Sequence, residues 1–301
     1  MPRRRHTIRL GYFAALFFLA SCSPTSRTPE PTLPPSSPQP SATQGIETST
    51  APTPSPEATP TPTPLACLSE GGSITEQFLS SDILPQRIEY YLYLPPCYDQ
   101  QPAARYPVLY MIHGQSYRHD QWINLGLTAQ ADAWIAAGEI APLIIVMPRD
   151  RVWTPPSEDL FGQGLVEELI PYIDATYRTK AEREFRAVGG LSRGAAWAIH
   201  LGLNYMDVFG AVGGHSLPVF WEDAPKIPRI LQETPVKELP RIYVDIGDRD
   251  RAEIMESTLW FVDLLARYDV PHEWHLFVGY HEEAYWAQHV PDYLAFYSMG
   301  W

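Results

Sequence analysis

The chain has 301 residues, 45% of them hydrophobic, with 22 Lys and Arg against 35 Asp and Glu, for a formal net charge of −13. That length allows one sizeable core with peripheral segments around it. The acidic balance argues against nucleic acid, or an anionic membrane surface, as partner.

Arg3, Arg4, Arg5 and Arg9 precede a short apolar stretch from Leu10 to Ala20. A membrane-spanning helix needs about 20 apolar residues, so residues 1–21 read as a signal peptide. They end in Leu19-Ala20-Ser21-Cys22, a pattern that resembles the lipobox of bacterial lipoproteins, where the Cys takes the lipid. The expectation is an extracytoplasmic lipoprotein held to a membrane through Cys22, with Sec and twin-arginine export both open. From Cys22 onward the charge is −17, because the leader holds four arginines and no acid.

Residues 22–64 form a second region. Thirteen of the 42 residues from Ser23 to Pro64 are proline, and most others are Thr, Ser, Ala, Gln or Glu. Such a segment cannot bury enough apolar surface to offset its ordering entropy. It is expected to be an extended tether with a reach on the order of 100 Å. Residues 65–301 are then the folded domain. Within it Cys67 and Cys97 remain as a possible disulfide pair in an oxidising compartment. No CxxC or HxxxH cluster suggests a metal, and no cofactor is implied.

The alternating, aromatic-rich run Arg87–Leu94 predicts a strand closed by Pro95-Pro96. Short apolar runs follow at Val108–Ile112, Leu143–Met147, Arg186–Gly189, Phe209–Val212, Ile242–Ile246 and His275–Val278. Runs of this kind suit parallel strands buried on both faces. Between them lie helical patterns: Leu165, Val166, Leu169, Ile170 and Ile173, with a kink expected at Pro171; Ala195–Leu203; and Ile254, Thr258, Phe261 and Leu265. Strand and helix in alternation predict an α/β domain on a mostly parallel sheet flanked by helices.

Gly190-Leu191-Ser192-Arg193-Gly194 leaves one of these strands and opens a helix, the setting in which GxSxG marks a nucleophile elbow. A serine hydroxyl needs a base, and in this fold the acid and His follow the Ser in chain order. His281, beyond the last strand, is the candidate base; His275 falls inside the strand pattern, His272 before it and His289 in the final helix. The acid is expected in Gly247-Asp248-Arg249-Asp250, as Asp250 or alternatively Asp248, with Asp245 too deep in the strand. The backbone N–H groups of Gln115 and Arg193 are the expected oxyanion donors, with His113 structural and the Arg193 side chain outside the chemistry. Tyr117, His119, Trp122, Trp153, His215, Trp221 and Trp286 fall on loops at the expected active-site edge, as either pocket residues or packing aromatics.

The segments Leu109–Gly114, Gly189–Ala195 and Gly279-Tyr280-His281 with Trp286 are similar to those of the putative esterase family. That family includes esterase D, feruloyl and enterochelin-type esterases, and mycolyltransferases. The resemblance runs from about Ser73 onward and implies an α/β-hydrolase fold with Ser192, Asp250 and His281 as triad. Arg193, where an uncharged residue is more usual, and Glu282, often Asp, depart from the pattern. The expected activity is hydrolysis of a small-molecule or polysaccharide-linked carboxylic ester through an acyl-enzyme. An acyltransferase, or a non-catalytic surface binding protein on a hydrolase fold, is the alternative.

Overall fold

The computed structural model describes residues 66–301 apart from position 152. The leader, Cys22 and the tether lie outside the described residues.

Eight strands form one sheet: β1 (Ser73–Leu79), β2 (Ile88–Leu94), β3 (Val108–Ile112), β4 (Ile144–Pro148), β5 (Arg186–Leu191), β6 (Ala211–His215), β7 (Arg241–Gly247) and β8 (His272–Phe277). Their spatial order is β1-β2-β4-β3-β5-β6-β7-β8. β1 pairs antiparallel with β2 and β2 antiparallel with β4, and every later pairing is parallel. The chain steps from β3 outward to β4, then back across β3 to β5. That reversal opens a crevice at the carboxyl ends of β3 and β5, the general place for a ligand in such a sheet.

The helices are α1 (Gln121–Asn124), α2 (Leu127–Ala137), α3 (Phe161–Gly164), α4 (Ile170–Thr176), α5 (Arg193–Asn204), α6 (Ile227–Glu233), α7 (Ala252–Arg267) and α8 (Glu283–Ser298). They bury the sheet on two faces. Val108, Tyr110, Val188 and Val212 look into one core with Trp197 and Phe261, whereas Leu109, Met111, Ala187 and Tyr243 look into the other with Trp122, Tyr293 and Tyr297. Alternate residues of one strand thus feed opposite cores, which is why β3 and β4 are apolar throughout.

Two expectations need correction and one gains detail. The segment expected to kink at Pro171 is continuously helical from Phe161 to Thr176, with a π turn, Leu165–Leu169, just before Pro171. The run His275–Val278 is not buried on both faces: β8 starts three residues earlier, at the sheet edge, with Leu276 55% and Val278 72% exposed. His275 is accordingly half-exposed and bonds Glu273. The strand expected at Phe209–Val212 runs instead from Ala211 to His215. The largely exposed edge strand β1, whose apolar residues are Ile74, Phe78 and Leu79, was not among the expected strands.

Cys67 and Cys97 form a disulfide, tying the start of the domain to the end of β2 across 30 residues. No helix among the described residues is long and apolar enough to cross a membrane. Tyr297 of α8 lies so close to the sheet that a Cβ added at Gly189 or Gly213 would fall 1.9 Å from its hydroxyl. Gly189→Ala should therefore lower unfolding free energy by about 1–3 kcal/mol through overpacking, measured by urea denaturation at unchanged m-value.

Candidate active site

Ser192 stands between β5 and α5 with φ 52° and ψ −123°. A non-glycine residue held there costs on the order of 1–3 kcal/mol and persists only where its surroundings fix it. They do so by hydrogen bonding: Ser192 N–H donates to the His215 carbonyl at 2.8 Å, and Ser192 C=O accepts from Ala195 and Ala196 N–H at 2.8 and 3.1 Å. The flanking glycines admit the contact. A Cβ on Gly190 would sit 2.3 Å from Gly194 backbone, and one on Gly194 would sit 2.2 Å from the Ile112 oxygen.

His281 reaches back from the loop after β8. Its Nε2 is 3.0 Å from Ser192 Oγ and its Nδ1 is 2.8 Å from Asp250 Oδ1. The Asp250 side chain is fully buried and that of His281 is 9% exposed. Asp250 Oδ1 also accepts the Arg251 N–H at 2.6 Å, which fixes the carboxylate. The alternative acid, Asp248, has other work: it accepts Gly279 N–H at 3.0 Å and so stitches the loops after β7 and β8 together. Asp245 pairs with His215, not with His281. Trp286 and His281 meet in a T-shaped ring contact, centroids 4.9 Å apart and planes at 86°.

Across the crevice, β3 ends in His113-Gly114-Gln115. The buried Gln121 side chain accepts Gly114 N–H at 2.9 Å. His113 Nδ1–H donates to Gly114 C=O at 2.8 Å, and its Nε2 accepts Asp150 N–H at 3.1 Å. Burial holds His113 below the ordinary imidazole range, which suits this neutral tautomer. Gln115, Ser116, Tyr117, Arg251 and Trp286 surround Ser192 and His281 in a cavity of about 320 Å³.

The structure divides the candidate pocket aromatics. Tyr117 and Trp286 line the cavity. Trp122 and His215 lie fully buried beneath it: the Trp122 indole N–H donates to the Ile112 carbonyl, and His215 bonds Asp245 and Tyr297. His119 packs on Tyr91 and bonds Glu76. Trp153 and Trp221 are 58% and 73% exposed and are not among the residues lining this cavity.

Two features escaped the sequence reading. One is Arg251 in the cavity wall. The other is the setting of the Arg193 side chain, which is buried. Its Nε donates to Asp150 Oδ2 at 2.6 Å, and a terminal nitrogen donates to Asp159 Oδ2 and Thr154 C=O, both at 2.9 Å. A buried guanidinium requires carboxylate partners; the signal was an Arg directly after the elbow Ser with Arg149-Asp150-Arg151 one strand away. Asp159 is pushed up to about 6, first by burial and then by the negative charge of Asp150.

The carboxyl ends of a mostly parallel sheet, a strand–serine–helix turn and a His following the last strand define an α/β-hydrolase domain. The chain belongs to the putative esterase family, whose pattern matches residues 81–297. It is 31% identical over 174 residues to an endo-1,4-beta-xylanase/feruloyl esterase of Xylanibacter ruminicola, a match covering 54% of this chain. The match spans about a quarter, 23%, of that relative's length. A ferulic acid esterase structure superposes with TM-score 0.67 at 24% identity, covering 76% of this chain and 98% of that one. An S-formylglutathione hydrolase from Staphylococcus aureus does so with TM-score 0.59 at 17% identity, covering 76% and 98%.

Two outcomes follow from this geometry. Gly194→Ala forces a Cβ against the Ile112 carbonyl and should abolish soluble folded protein or displace Ser192, read as loss of fluorophosphonate labelling. The raised Asp159 carboxyl makes the folded state bind more protons than the unfolded state between about pH 4 and 6. Its contribution to stability is therefore lost as pH rises through that window. The stability of the wild type relative to Asp159→Asn should fall from pH 4 to 6 in denaturation curves; a flat or rising difference contradicts this.

Proposed function

We propose that this protein is a serine carboxylic-ester hydrolase with Ser192 as nucleophile, His281 as general base and acid, and Asp250 as the group that orients the imidazole. The observation that carries this reading is the continuous hydrogen-bonded line from Ser192 Oγ through His281 to buried Asp250.

In the first half-reaction Ser192 Oγ attacks the ester carbonyl carbon while its proton passes to His281 Nε2. Asp250 keeps Nδ1 protonated and stabilises the imidazolium without taking the proton. The carbonyl oxygen becomes an oxyanion, received by the N–H groups of Gln115 and Arg193. Collapse expels the alcohol, which takes the proton from His281, and leaves an acyl-Ser192 ester. Water, deprotonated by His281, then releases the acid and restores the serine. A small or polysaccharide-linked ester fits a cavity of about 320 Å³ open at the crevice.

The place of action is proposed to be outside the cytoplasm, with Cys22 lipidated and residues 22–64 as tether to the catalytic domain at 65–301. The Cys67–Cys97 disulfide supports this, because such bonds persist in oxidising compartments.

Ser192→Ala should lower kcat toward short para-nitrophenyl esters by about 10⁴-fold or more, with circular dichroism and Tm retained. Comparable turnover in that variant would remove Ser192 from the mechanism.

A further inference from the structure

Of the residues lining the cavity, Arg251 is the one permanent cation, and no carboxylate is among them. Its neighbour Arg249 is engaged, donating to the Tyr280 hydroxyl at 3.2 Å and lying 4.0 Å from Asp248. By contrast, no carboxylate of the described residues lies within 4.0 Å of the Arg251 guanidinium, and no ring stacks on it. An exposed arginine is ordinary on a surface. This one shares a cavity with the nucleophile, and its backbone is locked to the triad. Arg251 N–H is held by Asp250 Oδ1, and its carbonyl accepts Ile254 and Met255 N–H at 3.1 and 2.9 Å as it caps α7. The origin of this side chain is therefore fixed relative to Ser192.

The charge balance sharpens the point. At −13, the protein repels anions at long range. A guanidinium with no carboxylate partner among the described residues, in the cavity that holds Ser192, creates a local exception, and its planar fork of donors matches a carboxylate. We propose that Arg251 is an anion-recognising subsite, and that the ester this enzyme takes carries a free carboxylate within reach of the scissile bond. The inference rests on the esterase reading and names its substrate class.

The test compares matched esters in wild type, Arg251→Gln and Arg251→Lys. One pair varies the acyl side, para-nitrophenyl hemisuccinate against para-nitrophenyl butyrate. The other varies the alcohol side, para-acetoxybenzoate against phenyl acetate. In at least one pair the charged-to-neutral ratio of kcat/KM should fall about tenfold or more in Arg251→Gln, mainly through KM, with partial recovery in Arg251→Lys. Equal ratios in wild type and Arg251→Gln for both pairs would overturn the subsite and leave the esterase reading standing. If neither pair is turned over, the esterase reading fails. The subsite is then judged by equilibrium binding of para-nitrophenyl hemisuccinate and para-acetoxybenzoate to Ser192→Ala. Affinity for either one lowered about tenfold by adding Arg251→Gln supports it, and equal or absent binding of both refutes it.

Discussion

The contact on which the site depends is a backbone one: the turn from β5 into α5 lies directly on the end of β3. Neither Gly190 nor Gly194 has room for a side chain, because each would meet backbone at 2.2–2.3 Å. The close approach lifts Ser192 out of the sheet at positive φ and brings α5 beside His113-Gly114-Gln115. The proposed nucleophile and both sources of proposed oxyanion donors are thus one rigid unit. The proposed base, His281, arrives separately, on the loop after β8, held by the bonds that join that loop to the turn after β7.

Two buried polar systems brace that unit from opposite faces of the sheet. On one side the Asp245 carboxylate receives His215 at 2.6 Å, Tyr285 at 2.5 Å and Tyr293 at 3.1 Å, and His215 Nε2 meets the Tyr297 hydroxyl at 2.9 Å. Burial, with the charge of Asp245, raises the hydroxyls of Tyr285, Tyr293 and Tyr297 above the ordinary phenol range, so they remain donors. The His215 carbonyl is the acceptor for Ser192 N–H, so this network fixes the strand end that supports the elbow. On the other side Asp150 gathers the Arg193 guanidinium and the Trp197 indole N–H, while its own N–H goes to His113. A fully satisfied network of this kind rigidifies; removing one partner would strand a buried charge.

The inner sheet was legible because burial on both faces leaves little room for polar residues, and the elbow was legible because its glycines are sterically required. The chain order of Ser, acid and His then narrowed the site to a few positions. Asp250 and Asp248 could not be separated in the sequence, since both stand in one turn and only three-dimensional position says which carboxylate faces the imidazole. The loop aromatics were poorly resolved for a related reason. Trp122 and His215 carry N–H groups that bind inside the core, so a polar handle did not mark exposure. The strand β1 and the span of β8 lay beyond pattern reading, because an edge strand needs no apolar period.

Two arginines next in sequence to residues of the proposed triad show how burial decides the use of one residue type. Arg193 follows Ser192, and its side chain runs inward to two carboxylates and a carbonyl, where removing a carboxylate would strand a buried charge. Its charge is consumed in holding its own backbone, whose N–H is the proposed oxyanion donor. Arg251 follows the proposed triad acid, and here the order is reversed: the backbone N–H is committed to Asp250 while the guanidinium remains in the cavity. A mostly acidic protein keeps that cation in the cavity that holds Ser192, with no carboxylate partner among the described residues. The physical distinction is between a charge neutralised by the fold and one left for a ligand.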